Sequence, residues 1–223
     1  MRLLVPLALS GAAWLWAADA DIERITRATE VFQEIMDTPD KGIPQELLNK
    51  AHCVVVIPGM KKGAFIVGAK YGRGFFSCRA SGGVGWTGPA AVRIEGGSFG
   101  LQLGGSETDV IMLVMNQRGV DRLLSSKFTL GGAAEVAAGP VGRDATAQTD
   151  AFMTAEILSW SRSRGLFAGL SLHGATLRQD LDTNAKLYRK RLQNREIIQG
   201  NLPAPEAAKP FTAVLNKHSS RKS

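Results

Sequence analysis

Apolar and polar positions alternate from residue 98 to 104. Phe99, Leu101 and Leu103 fall on one side, and Ser98, Gly100, Gln102 and Gly104 on the other. This is the period-2 pattern of a strand with one covered face. Val110 to Met115 is an unbroken apolar run, as in a strand covered on both faces. Similar short runs at 53–57, 63–71, 74–79 and 90–95 are separated by Pro-Gly, Gly-x-Gly, Ser-Gly-Gly and Glu-Gly-Gly signals. Connections this short leave no room for helical crossovers, so the pattern predicts a mostly antiparallel sheet.

Helical spacing flanks these strands. Ile22, Ile25, Phe32 and Ile35 fall near one face of a helix over 21–36, which either packs on the sheet or lies in a membrane interface. Pro44 opens a short helix over 45–50, and 117–126 predicts another with Val120, Leu123 and Leu124 inward. Later strands are expected within 129–141 and 156–172. In the second of these, Trp160, Arg162 and Arg164 alternate with serines. Asp182 and Thr183 can cap a last helix over 184–199, and the Pro- and Lys/Arg-containing stretch 201–223 reads as a disordered tail. The fold class is α+β in a single domain: a curved, mostly antiparallel sheet or barrel-like sheet flanked by helices.

Charge changes this picture only at one end. The chain carries 27 Lys/Arg and 20 Asp/Glu, a net charge of +7. Residues 21–185 hold 17 of each sign, whereas 186–223 hold nine basic residues and two acidic ones. Lys186, Arg189, Lys190, Arg191 and Arg195, interleaved with Tyr188, Leu192 and Ile198, make a basic, amphipathic segment suited to an anionic membrane surface. Residues 1–20 read as a secretory signal peptide. Arg2 is its basic part, 3–17 its apolar part, and Ala18-Asp19-Ala20 the small-residue pattern for cleavage after Ala20. The expected location is therefore secreted or periplasmic, where nucleic acid is not an expected partner. No protein partner is assigned.

Several motifs tempt a catalytic reading. Gly83 to Gly88 matches G-x-G-x-x-G, but Pro89 to Glu95 leaves no room for the helix that a dinucleotide site needs. Gly96 to Gly100 matches G-x-S-x-G, with Ser98 as nucleophile and Asp109 or Asp121 and His173 in suitable order. The alternation after Ser98 nevertheless predicts a strand where the nucleophile elbow needs a helix. His52, His173 and His218 show no metal-ligand spacing, so no metal and no cofactor is implied. Cys53 and Cys78 both fall in predicted strands; they are either a disulfide or two buried thiols.

The stretch GGSFGLQLGGSETDVIMLVMNQRGVDRLL resembles the SYLF domain family. So do VVVIPGMKKGAFIVGAKYGRG, GWTGPAAVRI, KFTLGGAAEVAAGPVGR and AEILSWSRSRGLFAGLSLHGATL. The resemblance covers roughly residues 22–188 and divides the chain into a leader (1–20), a SYLF-like domain (21–188) and a basic extension with its tail (189–223). It implies a lipid-binding module with no catalytic signature, whose eukaryotic branch is also described as actin-binding. Headgroup contacts are implied at Lys61, Lys62, Lys70 and Arg73, and at Arg162 and Arg164 unless these last are held in ion pairs. The expected function is non-catalytic binding of anionic, phosphoinositide-type lipid in the cell envelope. The alternatives are an envelope structural or interaction protein and a Ser98-dependent hydrolase.

Overall fold

The computed structural model describes residues 12–38, 42–64, 67–99, 104–131, 135–140, 154–163, 166–170 and 172–220. Helices α1 (Ala12–Asp37) and α2 (Gln45–Lys50) precede the long strands β1 (Cys53–Ala64), β2 (Val67–Cys78), β3 (Ala90–Phe99) and β4 (Gly104–Val114). Helix α3 (Gln117–Leu123) leads to β5 (Lys127–Thr129), β6 (Val136–Ala138), β7 (Ile157–Ser163), β8 (Leu166–Gly169) and β9 (Thr176–Gln179). The chain closes with α4 (Leu181–Tyr188), α5 (Asn194–Gln199), a 3-10 turn (Glu206–Ala208) and α6 (Lys209–His218).

The strands form one curled sheet in the order β5-β9-β3-β2-β1-β4-β7-β6, with β8 on β7. All named pairings are antiparallel except β6 with β7. Alternation along the central strands gives two covered faces. Val55, Ile57, Phe76, Val92 and Met112 meet Leu123, Leu177 and Ile197 on one face. Val54, Val56, Phe75, Ile111 and Trp160 meet Phe32, Ile35, Leu48 and Phe211 on the other. α1 thus packs on the sheet through Ile25, Phe32 and Ile35, while Ile22 stays 46% exposed. The expected cleavage point after Ala20 falls inside this helix.

Two sequence expectations need correcting here. Pro58-Gly59, Gly72-x-Gly74 and Glu95-Gly96-Gly97 do not end strands. β3 runs through the last of these to Phe99, and residues 100–103 of the strand expected from 98 lie outside the described residues. β1 runs through Pro58-Gly59 as a bulge, at which its register with both neighbours shifts. Gly59 takes the left-handed conformation (φ 60) and donates its amide to Asp109 at 2.8 Å. Opposite the bulge β2 needs glycine, because a Cβ at Gly74 would lie 2.1 Å from the Val56 carbonyl oxygen. The second correction concerns residues 201–220, which are not a disordered tail. α6 places Phe211, Val214 and Leu215 in the core.

Cys53 and Cys78 stand opposite one another on β1 and β2 and form a disulfide, which settles the alternative left open by the sequence. The bond closes a loop with a sequence separation of 25. Loss of such a cross-link costs about 3 kcal/mol in the chain-entropy description. Urea unfolding with and without reductant is expected to show a destabilisation of that order. An unchanged midpoint would mean that the sheet holds this pairing without the bond.

Candidate lipid-binding surface

The basic segment predicted over 184–199 is two helices and a turn. Asp180 follows β9, caps α4 by accepting the Thr183 amide at 3.3 Å, and accepts Arg73 Nε at 2.6 Å. Arg73 also donates to Thr183 Oγ1 at 2.8 Å. Burial pushes the Asp180 carboxyl upward, but Arg73 and the Thr183 groups outweigh that, so it sits below the usual aspartate range. Asp21 of α1 joins the same cluster through Arg24 and through Lys186 Nζ at 3.1 Å, with Arg73 at 4.0 Å. Three elements, α1, β2 and α4, are held together by these charges.

Past Tyr188 the helix stops because Arg189 adopts the left-handed conformation (φ 53), which costs a non-glycine residue about 1–2 kcal/mol. The turn that follows is fixed from beneath. The Asn184 side chain accepts the Ala91 amide at 2.8 Å and donates to the Leu192 carbonyl at 3.0 Å and to Asn194 Oδ1 at 2.7 Å. Asn194 in turn donates to the Ala91 carbonyl at 3.1 Å. Tyr188 Oη donates to the Pro89 carbonyl at 2.9 Å, and burial pushes its phenol above the ordinary range. Leu192, Ile197 and Ile198 are buried below the turn, whereas Arg189, Lys190, Arg191 and Arg195 point outward, all exposed. None of these four forms an ion pair among the described residues.

Beside this turn lies a cleft of about 680 Å³, bounded by Asp21 and Ile22 of α1, residues 186–189 and residues 202–207. The glycine-rich motif supplies part of its support. Gly83 and Gly85 have positive φ, and Gly88 donates to the Leu202 carbonyl at 2.7 Å. A Cβ at Gly88 would lie 2.6 Å from Tyr188 Oη. β3 starts at Ala90 with no helix between, so the motif is a close-packed turn. Ser98 lies within β3 opposite Gly68, and the next described element is the strand β4.

The sequence-predicted headgroup residues do not converge on this surface. Lys61 is exposed and stands opposite Tyr71 and Glu107. Lys62 is half-buried opposite Lys70; burial and then the Lys70 charge lower its pKa. These lysines lie along β1 and β2, toward the hairpin end, whereas the basic turn packs on the opposite end at Pro89–Ala91. Arg73 is committed to Asp180, and Arg162 pairs with Glu34 and, at 3.3 Å, with Asp109. Arg164 lies outside the described residues. Lys186 is held by Asp21, while Arg189, Lys190, Arg191 and Arg195 remain available. Among the described residues no three His, Cys, Asp or Glu side chains converge as a metal-binding group, and no helix is long and apolar enough to cross a membrane.

Sequence reasoning missed the cleft. Its wall at Leu202–Ala207 falls in the stretch whose composition reads as a tail, although Phe211, Val214 and Leu215 at i, i+3 and i+4 signal an amphipathic helix that returns to the core.

A family model described as Ysc84, Las17-binding protein actin regulator, matches residues 95–218, a stretch that includes the basic turn and α6. The SH3 domain-containing YSC84-like protein 1 of Rattus norvegicus is 32% identical over 200 residues, 88% of this chain and 58% of the relative. The SH3 domain-containing protein PJ696.02 of Schizosaccharomyces pombe is 34% identical over 177 residues, 78% of this chain and 41% of the relative. Protein YSC84 of Saccharomyces cerevisiae is 30% identical over 179 residues, covering 79% and 38%. The chain therefore spans well under two thirds of the curated relatives it matches.

Proposed function

The chain belongs to the Ysc84 family, and from that premise we propose that it is a non-catalytic binding protein that attaches to anionic lipid surfaces. Arg189, Lys190, Arg191 and Arg195 make the contact. One observation carries this reading: a turn anchored from below by Asn184 and Asn194 presents four exposed cations that have no ion-pair partner among the described residues. Arg189 and Lys190 also sit at the C-terminal end of α4, where the helix dipole favours positive charge. That structural benefit does not extend to Arg191 or to Arg195, which lies in the first turn of α5. Each cation near an anionic bilayer contributes about 1 kcal/mol, fading within a Debye length.

Replacing all four by Gln is the test. Affinity for vesicles containing phosphatidylglycerol is expected to fall at least about tenfold at low salt even when only half of the side chains reach the surface. Circular dichroism is expected to stay unchanged and the melting temperature to fall by no more than a few degrees, because the side chains are exposed and only the dipole contribution of Arg189 and Lys190 is lost. Undiminished vesicle binding would remove the turn from the account.

The reading includes an extracytoplasmic location reached by cleavage after Ala20. That cut leaves Asp21, with its partners Arg24, Arg73 and Lys186, as the first residue of the mature chain. A second reading is favoured by the family's description as an actin regulator: the same cations dock on an acidic protein surface such as an actin filament. Co-sedimentation of the wild-type chain and the four-Gln variant with filaments separates the two.

A further inference from the structure

We infer that the cleft beside the basic turn takes the hydrocarbon chain of a single anionic amphiphile, whose acidic head lies at Arg189. The sign of the head rests on the surface-binding reading above. The new element is a one-to-one site for the chain, distinct from attachment to a surface.

The cleft has the size of a small-molecule site, which typically spans about 300–1,000 Å³. Its walls are Ile22 from α1, Leu187 and Tyr188 from the end of α4, and Leu202, Pro203 and Pro205. Among the described residues Ile22 is one of four large apolar side chains left substantially exposed, at 46%, although its neighbours along the helix face, Ile25 and Phe32, are fully buried. The Tyr188 hydroxyl is already bonded to the Pro89 carbonyl, so the ring adds apolar surface without a free polar group.

Charge at the mouth decides the type of occupant. Two carboxylates border the cleft. Asp21 is compensated by Lys186, Arg24 and Arg73, and Glu206, on the exposed rim, pairs with Lys209 at 2.5 Å. Arg189 borders the same cleft with no ion-pair partner among the described residues. An apolar chain with an anionic end fits this arrangement on both counts, whereas a neutral amphiphile leaves Arg189 without a counter-charge.

The full chain is titrated calorimetrically with dodecyl phosphate kept below micelle formation. Inorganic phosphate and dodecyl maltoside are the controls. Dodecyl phosphate is expected to bind at one per chain, at least tenfold more tightly than either control. Ala207→Trp, which narrows the cleft, is expected to weaken that binding at least tenfold while leaving attachment to phosphatidylglycerol vesicles within about twofold. Should Ala207→Trp not fold by circular dichroism, Ile22→Gln, at an exposed helix position, is expected to weaken dodecyl phosphate at least fivefold. Equal binding of inorganic phosphate, or full binding by the folded cleft variant, overturns the inference. Vesicle attachment without any dodecyl phosphate binding also overturns it and leaves the surface reading standing. If the chain binds neither vesicles nor dodecyl phosphate, both readings fall.

Discussion

Asp180→Ala is expected to lower the unfolding free energy by about 2–4 kcal/mol, the combined cost of a charge-assisted hydrogen bond to the part-buried Arg73 and a helix N-cap. The Asp180 side chain is 3% exposed and receives Arg73 Nε at 2.6 Å. The substitution leaves the Arg73 guanidinium with only Thr183 and the more distant Asp21, and it removes the side-chain cap of α4. It also loosens the junction at which β9 hands the chain to the helix carrying the basic turn. The pH dependence follows from the same contacts. Asp180 is depressed below its ordinary value in the folded protein, so its contribution is complete above the unfolded aspartate pKa of about 4 and is lost as pH falls through the folded value. Urea midpoints measured from pH 7 downward are expected to decline across that acid window in the wild type. In Asp180→Asn they should start lower and decline less. A variant as stable as wild type at pH 7 would show that the ion pair contributes nothing net.

Phe211→Ala is expected to cost about 3–5 kcal/mol, as for other large aromatic truncations in a closed core. Phe211 is fully buried among residues of α1, α2 and the sheet, and α6 is further fastened where residues 218–220 meet the rest of the fold. There the Ser219 carbonyl accepts from Trp86 Nε1 at 2.8 Å and from Arg79 Nη1 at 2.5 Å. The His218 carbonyl accepts from Gln45 at 2.7 Å. For a chain of this size each kcal/mol moves the melting temperature by roughly 2–4 °C, so a drop of about 10 °C is expected in calorimetry. A single transition is expected to persist, because α6 shares its core cluster with α1. A near-normal melting temperature, or a separate early transition, would mean that α6 is a detachable appendage.

The main lines of the fold were legible because hydrophobic period and short turns constrain a sheet strongly. The residues of β4 read as a strand covered on both faces, and Val110, Ile111, Met112, Leu113 and Val114 are all buried. α2 and α3 were visible from Pro44 and from the spacing of Val120, Leu123 and Leu124. Glycine misled where its role is close approach. Pro58-Gly59 and Gly72-x-Gly74 look like turns but form a bulge and the gap that accommodates it, a relation between two strands that local sequence cannot display.

The site was half legible. Positive charge drew attention to 186–195, but the sequence could not tell which cations are already paired. Lys186 and Arg73 look like Arg189 and Lys190 in composition, yet carboxylates as distant as Asp21 and Asp180 claim the first two. The αL position of Arg189, which makes a turn out of one expected helix, depends on Asn184 and Asn194 gripping Ala91. The cleft was hidden because Pro203 and Pro205 resemble tail composition until Phe211 is seen to bring the chain back.

The central claim is tested most directly by floating the chain with vesicles of phosphatidylcholine alone and with added phosphatidylglycerol, at low and at high salt. Flotation with the anionic vesicles only, lost as salt screens the cations of the basic turn, is the predicted result. Equal flotation with both compositions, or none with either, would contradict attachment to an anionic lipid surface.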